Sequence, residues 1–192
     1  MPSKYEIFDC WKDKIITDDF RVAIVDKEKP AGLKIIEDWA FPECWACGEP
    51  PLFAQDEATL KKQWNNSHNL QRAHIVAKQF GGSNQADNLF LLCPICHAEA
   101  PDTRHAEDFF AWVAYSRKHV HYFSRFQGYL KQAAMMKGLN FEELIEKCSG
   151  ISFDIESLRS EARREMGMHG NMINGLTMGF TWIHIFQKHG FF

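Results

Sequence analysis

The chain has 192 residues, of which 45% are hydrophobic, 14% aromatic and 24% charged. This apolar share is enough for one core with a smaller annex, and with 12 glycines and 7 prolines it excludes a disordered, collagen-like or linker-like chain. The formal net charge of −3 argues against a protein that holds nucleic acid by overall positive charge. Any contact with nucleic acid must therefore depend on a local basic patch, on bound metal, or on both.

The N-terminal part of the chain gives few structural signals. Residues 1–43 mix short apolar runs with charges and fix no element, so we treat them as a segment of uncertain structure. The charges also exclude an apolar signal core, and the longest uncharged stretch, 169–187, is too polar to cross a bilayer. We therefore expect an intracellular, cytoplasmic protein with no membrane association. Further on, Asp56 is placed to cap a short helix that carries Leu60 and Trp64 on one face.

The middle of the chain has the pattern of a hairpin followed by a helix. Residues 70–77 are typical of a strand, 81–84 (Gly-Gly-Ser-Asn) of a turn, and 88–92 of a second strand. A short helix is predicted to follow and to end near Pro101, because proline interrupts a helix.

From residue 103 onward, apolar residues recur at helical spacing. Helices are predicted over 109–116, 123–134 and 141–148, after Asp154, and over 171–188, where a strand is the less favoured alternative. The region 103–192 is thus predicted to be mainly helical.

Four of the six cysteines form two Cys-x-x-Cys pairs, Cys44 with Cys47 and Cys93 with Cys96. Two such pairs are typical of a tetrahedral zinc site, because each brings two thiolates to one ion and disulfides are disfavoured inside the cell. Four thiolates leave no open coordination position, so the zinc is predicted to be structural. A redox Cys-x-x-Cys and unrelated buried thiols are the alternatives. Cys10 and Cys148 have no nearby partners and are predicted to be ordinary buried cysteines.

The segment framed by these pairs carries an ordered set of further features. In chain order they are His74 after a short strand, the Gly81-Gly82 turn, the Asn88-Leu89 pair, and His97 directly after Cys96. Together they resemble the HNH endonuclease family, whose core is a metal finger of two strands and one helix (ββα-metal). The resemblance covers roughly residues 44–102.

This resemblance implies a fold and a chemistry. The fold is of the α+β class: a ββα-metal finger over 44–102, stapled by a four-cysteine zinc site, followed by the mainly helical part over 103–192. The implied chemistry is hydrolysis of DNA phosphodiester bonds with one divalent cation, Mg²⁺ or Mn²⁺, in addition to structural Zn²⁺. DNA is the expected partner, and the sequence is compatible with a monomer or a homodimer.

The family pattern also implies roles for individual residues. His74 is the general base that activates water, a task that suits an imidazole whose ordinary pKa is about 6.5. Asn88 holds its loop and orients the imidazole. His97 binds the cation that neutralises the phosphorane and the leaving 3′ oxygen, with replacement of a zinc-ligating cysteine as the alternative role. Arg72 and Lys78 flank the base and are candidates to contact phosphates.

One position departs from the family pattern. Many family members carry a second metal ligand directly before the general base, whereas this chain has Ala73. A single imidazole with water is a poor Mg²⁺ site, so another residue must help, and we expect Glu99 first, then Asp102 and His105. A non-catalytic, zinc-stabilised nucleic-acid-binding or adaptor module is the alternative function.

Overall fold

The computed structural model of the protein describes residues 1–25, 32–37, 42–50, 59–67, 69–149, 154–167 and 174–192. These residues divide into two units, Met1–His121 and Tyr122–Phe192. They contain two small antiparallel sheets and eight α-helices. The predicted α+β class is therefore confirmed.

The first helix and the first sheet lie within residues 1–43, where the sequence predicts no element. Helix α1 (Lys4–Trp11) begins with a capping box, in which the Ser3 side chain accepts from the Glu6 amide and the Glu6 carboxylate accepts from the Ser3 amide at 2.7 Å. Strands β1 (Lys14–Ile16), β2 (Val22–Ile24) and β3 (Leu33–Lys34) form an antiparallel sheet in the order β2-β1-β3.

Helix α2 (Leu60–Asn65) is capped by Thr59, whose side chain accepts a hydrogen bond from the Lys62 amide. Asp56, the predicted cap, lies outside the described residues. Trp64 on this helix is buried and stacks on Phe8 of α1, with ring centroids 4.4 Å apart. This contact anchors the region before the hairpin to the first helix.

The second sheet is a hairpin of β4 (Gln71–His74) and β5 (Leu89–Leu92), and helix α3 (Pro94–Glu99) follows it. In the antiparallel register His74 lies opposite Leu89. Strand β4 is shorter than predicted, because after His74 the chain bends into a 3₁₀ turn, Lys78–Phe80, that ends at Gly81 with φ of 87°. The predicted order of strand, turn, strand and helix is confirmed.

An aromatic core fixes this hairpin within the first unit. Phe90 of β5 is fully buried, and four other rings lie around it at centroid distances of 4.8 to 6.2 Å; they belong to Trp11, Trp45, Phe109 and Phe110. The two phenylalanines come from helix α4 (Ala106–His119). Edge-to-face contacts of this kind add to the free energy gained by burial and restrict the mutual orientation of the elements.

The described residues of the second unit contain four helices. They are α5 (Tyr122–Met136), α6 (Phe141–Ser149), α7 (Ile155–Glu165) and α8 (Gly175–Lys188). Helix α8 approaches α5 closely at Gly179, where a Cβ atom would lie 2.4 Å from the carbonyl oxygen of Tyr129. The predicted helical character of the C-terminal part is confirmed. None of the helices in the described ranges combines the length and hydrophobicity that crossing a membrane requires.

Candidate active site

The two Cys-x-x-Cys pairs converge on one point of the first unit. The sulfur atoms of Cys44, Cys47, Cys93 and Cys96 lie within 4.8 Å of one another, and all four residues are buried. Sulfurs bound to one zinc ion at about 2.3 Å are about 3.8 Å apart in a tetrahedron. The Sγ atoms of Cys47 and Cys93 are 3.9 Å apart, so the size of the cluster is consistent with structural zinc.

Backbone hydrogen bonds position both halves of this cluster. The turn that carries the first pair is closed by the Gly48 amide, which donates to the Cys44 carbonyl at 2.8 Å, and the Trp45 amide donates to Leu91 of β5 at 3.0 Å. The second pair begins α3, where Cys93 Sγ accepts from the Cys96 amide at 3.5 Å. The cluster therefore joins the first turn to the start of the helix that carries His97.

The four thiols also shift one another's pKa values. Hydrogen bonds with the other three sulfurs, that of Cys44 first, raise the pKa of Cys47 far above its ordinary value. Burial raises the pKa of Cys44. Its hydrogen bonds with the other three cysteines outweigh burial and hold the pKa of Cys44 well below the ordinary value. The thiols thus cannot all ionise independently, and a bound cation would provide the charge that allows all four to do so.

His74 and His97 line one open pocket of about 410 Å³. Its wall comes from the end of β4, the following 3₁₀ turn, helix α3 and the residues after that helix; it includes Ala73, Lys78, Gln79 and Asp102. The structure thus brings together the two histidines singled out from the sequence, one of the two candidate basic residues, and one of the three candidate additional ligands.

A hydrogen bond with an amide side chain orients the His97 ring. Nδ1 of His97 lies 2.6 Å from Oε1 of Gln71 on β4. Because an amide oxygen only accepts, Nδ1 carries the proton and Nε2 carries the lone pair. Desolvation lowers the pKa of His97, the carboxylate of Asp102 opposes this shift, and the nearby His74 adds to it. The lowered pKa favours the neutral form of the ring, which is the form that can bind a metal ion.

The His74 ring is oriented by a second asparagine of the turn. Nε2 of His74 lies 2.9 Å from Oδ1 of Asn84, so Nε2 donates, and in a neutral ring the lone pair is then on Nδ1. Sequence reasoning treated Asn84 only as a turn residue. Nothing in the spacing separates an asparagine that contacts the imidazole from one that merely suits the backbone of a turn.

Asn88 holds the loop through backbone groups. Its Oδ1 accepts from the Val76 amide at 2.9 Å, and its Nδ2 donates to the carbonyls of Val76 at 3.0 Å and Ser83 at 2.9 Å. Glycine is required at position 82, next to these hydrogen bonds, because a Cβ atom there would lie 1.8 Å from the Val76 carbonyl oxygen. From the sequence, Asn88 is expected to orient the His74 imidazole. The hydrogen bond to that ring comes instead from Asn84, whereas the hydrogen bonds of Asn88 are to backbone groups.

A model of the HNH endonuclease family matches residues 59–102, which include β4, β5 and α3 with both histidines and Asn88. Together with the buried cluster of four cysteines, this match decides the assignment. Residues 59–102 form an HNH endonuclease domain. The resemblance inferred from the sequence is thereby confirmed. Comparisons with curated proteins and with solved structures gave no match.

The two candidate phosphate-contacting residues of the HNH domain, Arg72 and Lys78, have different surroundings. Nε of Arg72 donates to the Pro2 carbonyl at 2.9 Å, so this side chain connects β4 to the start of the chain. Burial and the charge of Arg72 together lower the pKa of Lys4 to about 8. Lys78, in contrast, is exposed and lines the pocket.

The three candidate ligands also differ in position. Asp102 lines the pocket with His97, and its charge acts on that ring. Glu99 is exposed and follows His97 by two positions on α3, a spacing at which helical side chains do not face each other. His105 lies directly before α4, where its amide donates to the Thr103 hydroxyl at 3.1 Å. Of the three candidates, Asp102 is the one that lines the pocket.

Proposed function

We propose that the protein is a metal-dependent endonuclease that hydrolyses DNA phosphodiester bonds in the pocket lined by His74 and His97. The observation that carries this proposal is the convergence of the two imidazoles on one open pocket of an HNH domain, each with one ring nitrogen held by an amide oxygen. An HNH domain implies a nucleic-acid substrate. DNA is the substrate that the family resemblance favours.

His74 is the general base of this reaction. With the Nε2 proton directed at Asn84, the lone pair of Nδ1 accepts a proton from the attacking water. The imidazolium that results keeps its hydrogen bond with Asn84, and this bond stabilises the positive charge. Asn84 is therefore a positioning residue, and Asn88 maintains the loop on which both groups depend.

His97 and Asp102 would hold the divalent cation, Mg²⁺ or Mn²⁺. One imidazole nitrogen and one carboxylate oxygen leave most positions of an octahedral ion for water and phosphate oxygens, so these donors fit a cation that binds together with the substrate. When bound, the cation acts as a Lewis acid toward the charge of the phosphorane and the leaving 3′ oxygen. We assign Asp102 in preference to Glu99 because Asp102 lines the pocket.

The four cysteines would hold a structural Zn²⁺. Cys93 and Cys96 lie at the start of the helix that carries His97, while Cys44 and Cys47 lie on a turn bonded to β5. A zinc ion in this cluster would fix the helix relative to the hairpin. The distance between His97 and His74 would then depend on the zinc ion.

The test is cleavage of supercoiled plasmid by purified full-length protein with Mg²⁺, Mn²⁺ or no added cation. We expect the wild type to nick or linearise the plasmid only with a cation. His74→Ala should cut at least about 100-fold more slowly, because general-base catalysis contributes at least that factor. His184→Ala, which changes an exposed histidine of the other unit, should cut like the wild type. Equal zinc contents and circular dichroism spectra verify the folds.

Two outcomes contradict the proposal. If His74→Ala cuts as fast as the wild type, His74 is not the general base. If neither protein cuts DNA although both bind it, the alternative of a non-catalytic, zinc-stabilised nucleic-acid-binding module is correct.

A further inference from the structure

Phe80 and Arg104 form an exposed pair in two segments that also contribute residues to the pocket wall. The guanidinium carbon of Arg104 lies 4.8 Å from the centroid of the Phe80 ring. Phe80 has 37% of its surface exposed, and Arg104 is exposed as well. Both lie next to the pocket wall along the chain, since Gln79 precedes Phe80 and Asp102 lies two residues before Arg104. The pair is therefore one or two residues along the chain from the pocket in which the scissile phosphate would bind.

The backbones on both sides of this pair are tied together. The Phe80 amide donates to the Ala77 carbonyl at 2.8 Å, and the Ala77 amide donates to the Thr103 carbonyl at 3.2 Å. The Thr103 hydroxyl in turn donates to Asp108 at 3.0 Å. These bonds connect the 3₁₀ turn, the segment before α4 and α4 itself. The segments that carry the Phe80 ring and the Arg104 guanidinium group are thus connected to each other by hydrogen bonds.

The surroundings of Arg104 leave its charge available. Among the described residues it meets the Phe80 ring, and no carboxylate lies within ion-pair distance of it. Arg117 of the same unit, in contrast, pairs with Glu37 and Glu43 and donates to two carbonyls. A guanidinium group that stacks on a ring keeps its N–H edge directed outward, where it can form two parallel hydrogen bonds with an anion.

We propose that Arg104, oriented by Phe80, binds a backbone phosphate of the DNA strand next to the scissile phosphate. The inference rests on the proposed function. A phosphodiester fits the fork of N–H donors, and its neighbours along the strand necessarily lie at the rim of a pocket that holds the scissile group. Because the chain carries a net charge of −3, DNA binding requires local cations, and Arg104 with Lys78 supplies them at this site.

The contact is tested by binding of a short fluorescein-labelled DNA duplex at several salt concentrations, with His74→Ala in every protein to prevent cleavage. Loss of one phosphate contact in Arg104→Gln should weaken binding about tenfold and lower the slope of log K against log salt by about one. Arg104→Lys keeps the charge without the fork, so it should retain the slope and lose a few-fold in affinity. Phe80→Leu should behave in the same way.

Arg21→Gln is the matched control, because Arg21 is an exposed arginine of the same unit that pairs with Asp19 at 3.4 Å. It should keep the affinity and the slope of the parent protein. Unchanged affinity and slope in Arg104→Gln would overturn the phosphate contact. So would an Arg104→Gln enzyme, with His74 intact, that keeps the wild-type kcat/KM.

The two proposals fail separately. If the wild type cuts DNA but Arg104→Gln has no effect on binding or KM, the phosphate contact is wrong and the nuclease stands. If the wild type cuts no DNA but Arg104→Gln lowers the salt slope, the phosphate contact stands and hydrolysis is wrong.

Discussion

Oε1 of Gln71 lies 2.6 Å from Nδ1 of His97, and this bond decides which nitrogen of the ring can bind a cation. Gln71 lies on the first strand of the finger and His97 on its helix, so the bond also joins the two elements. Partners of this kind fix both the tautomer and the orientation of a ligating histidine. In the HNH domain, the side chain that orients His97, the proposed metal ligand, thus comes from a residue 26 positions earlier in the chain.

Removal of this bond should weaken binding of the cation. We expect Gln71→Leu to raise the Mn²⁺ concentration for half-maximal cleavage by about 10- to 100-fold, the usual effect of losing the hydrogen-bond partner of a ligating histidine. Gln71→Glu retains an acceptor and should stay close to the wild type. A Gln71→Leu enzyme with an unchanged Mn²⁺ requirement would show that the bond has no part in metal binding.

A pair of isosteric variants can show whether Asp102 or Glu99 binds the cation. We expect Asp102→Asn to raise the Mn²⁺ requirement and to lower kcat, because Asp102 lines the pocket and acts on the His97 ring. Glu99→Gln should leave both quantities unchanged, because Glu99 is exposed and faces a different direction from His97 on the helix. The measurement is the plasmid cleavage rate as a function of Mn²⁺ concentration. The reverse pattern would move the ligand to Glu99.

The protonation of His97 should be measurable in the metal-free pocket. Desolvation lowers the pKa of His97, Asp102 opposes the shift and His74 adds to it, so the ring should titrate below the ordinary value of about 6.5 in an NMR titration. The folded protein then binds this proton less tightly than the unfolded chain does. The stability that neutral His97 contributes is complete above a pH of about 6.5 and is lost as the pH falls through the folded pKa.

Asp102→Asn provides the control for this titration. The charge of Asp102 raises the pKa of His97, so its removal should move the midpoint further down. A midpoint at or above the ordinary value in the wild type, or an upward shift in the variant, contradicts this account of the pocket.

Local sequence encoded most of the finger but little of what orients its side chains. The Cys-x-x-Cys pairs, the Gly-Gly turn and the apolar run of β5 are short-range signals, and each was interpreted correctly as part of the fold. The side chains of three residues contact groups on other elements: Asn84 contacts His74, Gln71 contacts His97, and Arg104 contacts Phe80. Such contacts depend on how the hairpin, the helix and the segment before α4 pack, and no periodicity in the sequence reports that packing.

The elements of the first 43 residues escaped prediction for a related reason. The three strands of the first sheet have three, three and two residues, too few to establish an alternating pattern. Helix α1 has a capping box that the sequence contains, Ser3 followed by Glu6, but its eight residues carry only a weak apolar stripe. These elements are held mainly by tertiary contacts, such as the stacking of Phe8 on Trp64.

The two asparagines of the turn should have separable effects. Asn84→Ala removes the acceptor for His74 Nε2 and should lower kcat about tenfold with little change in stability, because the bond lies at an exposed position. Asn88→Ala removes three hydrogen bonds with backbone groups and should lower the free energy of unfolding by about 2 kcal/mol. Kinetics and urea denaturation of both variants give the comparison. Asn84→Asp, which keeps an acceptor, should recover most of the rate, and equal stability losses in the two alanine variants would contradict this division.

Zinc removal should act on the fold first and on activity as a consequence. The four sulfurs are buried and lie within 4.8 Å of one another, so without a cation they would leave the start of α3 poorly anchored. We expect elemental analysis of the wild type to find one zinc ion per chain. Cys96→Ser should lose this ion and should unfold at a lower temperature than the wild type. Cys10→Ser and Cys148→Ser change cysteines outside the cluster and should retain the zinc and the melting temperature. A Cys96→Ser protein with full zinc content would place the ion elsewhere, and a zinc-free wild type with unchanged stability would show that the cluster holds the fold without a metal.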